Sequence, residues 1–142
     1  MNRWLAVLTI ALIPAIVHAE QAEKFGNIEV HYNAMLTSDL LPDVARAYNI
    51  DRSNTRGLLT ISVLRKNAMG VGMPIPARLS VYDVNLNSQL SNIDMREIRE
   101  GAAVYYLGDF RVIPPSTLKF NVTVEISGEP NREVTFSRKF YK

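Results

Sequence analysis

The sequence predicts an all-β domain, an immunoglobulin-like antiparallel β-sandwich of about seven strands with one short helix near residues 42–48. Two observations carry this. Apolar residues recur with a period of two through most of the chain after residue 20, the pattern of strands buried on one face. Clusters of Gly, Pro, Asn and Asp interrupt those runs at short intervals. A third observation limits the claim. The chain has no Cys, and its only Trp is Trp4, so the disulfide and buried Trp of antibody domains are missing. The reading is therefore of the architecture and not of a true immunoglobulin domain.

From Phe25 to Leu36, Ile28, Val30 and Tyr32 share one face, while Glu29, His31 and Asn33 share the other. Leu41 to Tyr48 fits a short helix with Pro42 in its first turn, where a missing N–H is harmless. Leu41, Val44, Ala45 and Tyr48 are expected to cover one opening of the core. From Gly57 to Lys66, Leu59, Ile61 and Val63 alternate with Thr60, Ser62 and Leu64. Asn67 to Pro76 holds two Gly and two Pro and reads as a loop.

Alternation resumes from Ala77 to Leu86, and Asn85 to Asn92 is rich in turn formers. Ser91 to Glu100 reads as one strand through Ile93 and Met95. Ala102 to Ile113 is aromatic and β-branched, with Gly108-Asp109 expected to form a bulge or kink. Pro114-Pro115 ends it, because proline donates no ladder hydrogen bond. Leu118, Phe120, Val122, Val124 and Ile126 give the cleanest alternation in the chain. Ser127 to Asn131 is a turn, and Val134, Phe136, Arg138 and Phe140 mark the last strand.

Residues 1–19 read as a cleavable secretory signal. Arg3 supplies the positive start and Leu5–Val17 the apolar run. Val17-His18-Ala19 supplies the cleavage site, with cleavage expected after Ala19. The run is 13 residues long, short of the roughly 20 that cross a bilayer. The expected location is periplasmic, with residues 20–142 as a single domain and no membrane insertion after cleavage. Removing Arg3 leaves 15 basic against 14 acidic residues, a balance that offers no field for nucleic acid. The cluster Arg138, Lys139 and Lys142 reads as a solvated strand end.

The exported segment is poor in catalytic residue types. His18 leaves with the signal, so His31 is its only histidine, and a cysteine nucleophile or a zinc site of several His or Cys is excluded. No Gly-x-Ser-x-Gly elbow presents a serine. Gly70-Val71-Gly72 lacks the third glycine of a phosphate loop. No cofactor is expected. Met69 and Met73 with His31 have the soft ligands for a copper(I) site, without the spacing of a metal motif. In the charge-dense stretch Asp94–Glu100, a strand puts Asp94, Arg96, Ile98 and Glu100 on one face and Met95, Glu97 and Arg99 on the other. Interleaved charge of this kind protects an edge strand against aggregation. An arginine pair there would also suit a carboxylate.

The runs HYNAMLTSDLLPDVARAYNIDRSNTRGLLTISVLRK (31–66) and DMREIREGAAVYYLGDFRVIPPSTLKFNV (94–122) resemble a family of small secreted proteins of Gram-negative bacteria, known as a domain of unknown function. The resemblance spans essentially the whole of residues 20–142. It departs near Met35, where the family pattern has an aromatic residue. It implies a periplasmic β-sandwich and brings no catalytic residues.

The expected function is binding or protein interaction in the periplasm, with a protein or small ligand as partner. The candidate binding residues are His31 and Asn33 on one surface and Asp94, Arg96, Glu97 and Arg99 on another. The alternatives are a cell-envelope enzyme gathering Asp94, Glu97 or Glu100 in a pocket with arginine, and a copper(I) carrier.

Overall fold

The computed structural model describes residues 21–142, so the signal reading of residues 1–19 lies outside the described residues. Twelve elements follow in order. They are β1 (Gln21–Phe25), β2 (Ile28–Leu36), a 3-10 turn (Thr37–Asp39), α1 (Pro42–Ala47), β3 (Arg56–Lys66), β4 (Gly72–Pro74), β5 (Arg78–Val84), β6 (Leu90–Ile93), β7 (Arg96–Glu100), β8 (Ala103–Arg111), β9 (Ser116–Glu125) and β10 (Arg132–Phe140).

They form two antiparallel sheets. One runs β1-β2-β3-β8-β7, with β4 also on β3, and the other runs β10-β9-β5-β6. The two sheets are the layers of a β-sandwich. Ten strands replace the expected seven for three local reasons. Gly26-Asn27, with Gly26 at φ 62°, turns the chain so that Phe25 pairs with Ile28 and splits off β1. Part of the expected Asn67–Pro76 loop pairs with β3 as β4. The expected single strand 91–100 crosses from one sheet to the other between Ile93 and Arg96.

That crossover also explains Gly108, which sits in regular pairing with Leu59 and forms no bulge. A side chain there would meet Met95 Sδ at 2.3 Å and Ile93 Cγ2 at 2.7 Å. The glycine lets the crossing strand approach.

The core lies between the sheets. Ile28, Val30, Leu59, Ile61, Val63, Val104 and Phe110 face Val81, Leu118, Phe120, Val122, Val124, Val134 and Phe140, all buried. Burying each such side chain contributes about 1.5–3 kcal/mol. Aromatic rings link strands of both sheets. Tyr32 stacks on Phe136 at 4.2 Å, Phe136 on Phe120 at 5.0 Å, and Phe120 meets Phe110 edge-on at 5.0 Å.

The helix forms where expected but does not close the core. Leu41 and Val44 stay exposed while Ala45 is buried. The register puts Leu58 and Leu107 on the outer face of the first sheet, yet both are buried there. The segment 37–55 covers that face. Tyr48 Oη lies 2.5 Å from Tyr105 Oη and donates to Glu100 Oε1 at 2.8 Å. Arg96 donates to the Tyr48 carbonyl, and Thr37 Oγ1 and Ser53 bond each other both ways.

Candidate functional site

Polar groups gather in three places. The first is the outer face of β1, β2 and β3. Alternation puts Glu29, His31 and Asn33 outward on β2, as the sequence predicts. Glu29 is nevertheless buried, with Lys66 Nζ 2.7 Å and Lys24 Nζ 3.7 Å from Oε1, and His31 Nε2 3.1 Å from Oε2. The Lys66 hydrogen bond holds the Glu29 carboxyl below the usual carboxylate range despite its burial. His31 is thereby tied to a carboxylate already shared by two ammonium groups.

The copper(I) set does not assemble on one surface. Met73 pairs with Arg65, which pairs with the inward Ile28, whereas His31 points to the other face. Met69 is exposed in the loop before β4. Among the described residues, no cluster of three or more His, Cys, Asp or Glu has the arrangement to hold a metal ion.

The second place is the strand rich in charge. Arg96, Ile98 and Glu100 face outward and Glu97 and Arg99 inward, the predicted alternation. Arg96 and Glu100 serve as anchors for Tyr48. Glu97 accepts from Arg99 and from Tyr106 Oη on the opposite side. Asp94 lies in the link between β6 and β7. The three carboxylates of the expected enzyme pocket therefore do not converge. Burial and the bonds to Tyr48 and Glu100 push the Tyr105 hydroxyl well above the usual phenol range. A polar recess of about 200 Å³ between the covering segment and the sheet is lined by Arg56, Arg96, Asp51 and Asp109, with Arg56 and Asp109 ion-paired.

The third place was not predicted. An open cleft of about 1200 Å³ lies where β2, the segment 38–55, the link after β8 and the end of β10 come together. Its polar lining includes Asn33, Ser38, Asn54, Thr55 and Ser137, and its apolar lining includes Leu36, Ile113, Pro114 and Phe140. Asn33 is the one predicted candidate that it takes in. Arg138, Lys139 and Lys142 line it too, so the cluster expected to be a solvated strand end borders a concavity. Arg138 lies on the row of β10 that carries the buried Val134 and Phe140, two residues apart along the strand. The signal was visible in the sequence as one arginine in an inward apolar row. The convergence was not visible, because the lining comes from segments as far apart in sequence as Asn33 and Lys142.

Comparison with known proteins agrees with the fold. Residues 22–142 match the model of the family described as Domain of unknown function (DUF4426). No curated protein matches the chain. A crystal structure of a DUF4426 family protein from Pseudomonas aeruginosa PAO1 is 30% identical, with a TM-score of 0.72 over 86% of this chain and 94% of that one. FetP of uropathogenic Escherichia coli strain F11 shares the fold at lower identity. Its copper-bound variant is 14% identical, with a TM-score of 0.61 over 86% of this chain and 95% of that one. FetP as isolated after expression in the periplasm of E. coli is 13% identical, with a TM-score of 0.60 over 86% and 93%. Matched by the family model over nearly all of the described residues, the chain is a member of the DUF4426 family.

Proposed function

We propose that the protein is an exported periplasmic binding module and that the cleft at the β2–β10 end is where it binds. The observation that carries this reading is the cleft itself. It is concave, of ligand size, and lined by both apolar surface and a few polar side chains, the usual make-up of a binding site. The signal-like order of charge, apolar run and cleavage site supports export. Among the described residues, no helix is long and apolar enough to cross a membrane. The separation of Asp94, Glu97 and Glu100 favours binding over carboxylate catalysis.

Fractionation of cells expressing the full chain tests the location. The processed protein is expected in the periplasmic fraction, and retention in the cytoplasm contradicts export. A fragment library screened against the ¹⁵N-labelled protein tests the site. Hits are expected to shift the amides of Asn33, Thr55 and Ser137. Hits confined to the Tyr48–Glu100 surface, or none at all, contradict the reading.

A further inference from the structure

We propose that the cleft takes an anionic amphiphile, a ligand with an oxyanion held by Arg138 and an apolar body laid against Ile113. This rests on the binding reading above and adds the chemical class of the ligand.

Most of the basic side chains have partners. Arg46, Arg56, Arg65, Arg78, Arg99 and Arg132 each ion-pair with a carboxylate among the described residues. Arg52 and Arg96 donate to backbone carbonyls. Lys24 and Lys66 share Glu29. Arg138 has no such partner among the described residues, and it lines the cleft with Lys139 and Lys142. Asp39 is the one acidic side chain in the lining. Arg111 and Lys119 also lack such a partner and lie outside the cleft, so three of the five cations without an ion pair or side-chain hydrogen bond among the described residues gather at one concavity, where a low-dielectric wall strengthens their field.

Arg138 stands in the inward row between Phe136 and Phe140, so its guanidinium is carried on the side of β10 that faces the other sheet. A planar guanidinium there presents a fork that matches a carboxylate or phosphate. An inward charge at a sheet edge also discourages a further strand from adding to β10, which favours a small ligand over an extended peptide.

An apolar wall stands beside these cations. Ile113 is 63% exposed and Tyr141 65% exposed, and both border the same cleft. Lys139 Nζ sits 5.2 Å from the Tyr141 ring centroid, which places an ammonium beside that aromatic face. Large exposed apolar side chains beside unpaired cations suit a ligand with both characters.

Calorimetric titration of the protein with octanoate, octyl phosphate, octyltrimethylammonium, acetate and inorganic phosphate tests this, all below micellar concentrations. Octanoate or octyl phosphate is expected to bind, and the stronger of the two identifies the oxyanion. Acetate and phosphate are expected at least tenfold weaker, and octyltrimethylammonium not to bind. Arg138→Gln, at an exposed position, is expected to weaken the anionic amphiphile about tenfold. Ile113→Ser is expected to weaken it while leaving acetate unchanged. Equal binding of the cationic amphiphile, or no effect of Arg138→Gln, overturns the proposal and leaves the binding reading standing. If no probe binds and the fragment screen also leaves the cleft silent, both fail.

Discussion

Lys66 Nζ lies 2.7 Å from Glu29 Oε1 on the outer face of the first sheet, and the Glu29 side chain is only 8% exposed. The pair joins β2 to β3 across neighbouring register positions. A carboxyl whose folded pKa is depressed contributes stability above its unfolded value, here near 4.5, and loses it as pH falls through the folded value. Denaturant unfolding of the wild type is expected to weaken below about pH 4.5, and that loss is expected to be smaller in Glu29→Gln. At neutral pH, Lys66→Met is expected to destabilise, with Glu29→Gln in the same chain restoring part of the loss. A wild type and Glu29→Gln that lose stability identically in acid contradict the account.

Asp83 carries the opposite sign. It is buried on β5, and burial pushes its carboxyl above the usual carboxylate range. A raised folded pKa means that the native state binds a proton more tightly than the unfolded chain. Its contribution to stability is therefore fully present below the unfolded pKa and falls as pH rises through the folded value. Asp83→Asn is expected to raise the Tm at pH 7, with the advantage disappearing in acid. Thermal scans at pH 7 and pH 3.5 check this, and an Asn variant less stable at pH 7 than at pH 3.5, relative to wild type, contradicts it.

Gly57 and Gly108 are spaces that neighbours fill. A side chain at Gly57 would meet Phe110 Cζ at 2.1 Å, and Phe110 is held by Phe120 and Phe140. At Gly108 it would meet Ile93 and the Asp94 carbonyl as well as Met95. Gly57→Ala and Gly108→Ala are each expected to cost about 1–3 kcal/mol by urea unfolding. Phe110→Leu added to Gly57→Ala is expected to be less harmful than the two separate effects summed. Unchanged stability in Gly57→Ala contradicts the packing.

The segment 37–55 covers Leu58 and Leu107 and is bonded to the sheet through Tyr48, whose hydroxyl meets Tyr105 and Glu100 and whose carbonyl accepts from Arg96. Tyr48→Phe is expected to lose about 1 kcal/mol of that closure. Limited proteolysis is expected to cut the variant earlier than wild type between Leu41 and Asn49, with little change in global stability. First cleavage at another loop contradicts this role for Tyr48.

Side-chain parity made most strands legible, because each sheet has one face on a common core. The same fact hid the crossing from β6 to β7. Ile93 in one sheet and Met95 beyond it both point at that core, so the alternation continues while the strand changes partners. Gly26-Asn27 was a hairpin signal within an unbroken apolar pattern. The helix was legible as a helix, and its place was not. Leu58 and Leu107 form an apolar patch on the outer face only once β3 and β8 pair. The cleft depends on tertiary contact altogether. Arg138 is visible as an interruption of an apolar row, whereas Ile113 and Thr55 become its neighbours only through the fold.

The most direct measurement of the central claim is the pattern of intermolecular NOEs between octanoate and the isotope-labelled protein. Contacts are expected from the octanoate chain to the Ile113 methyls and the Tyr141 ring. Contacts to Leu41 and Val44 on the helix instead, with none to Ile113 or Tyr141, would contradict it.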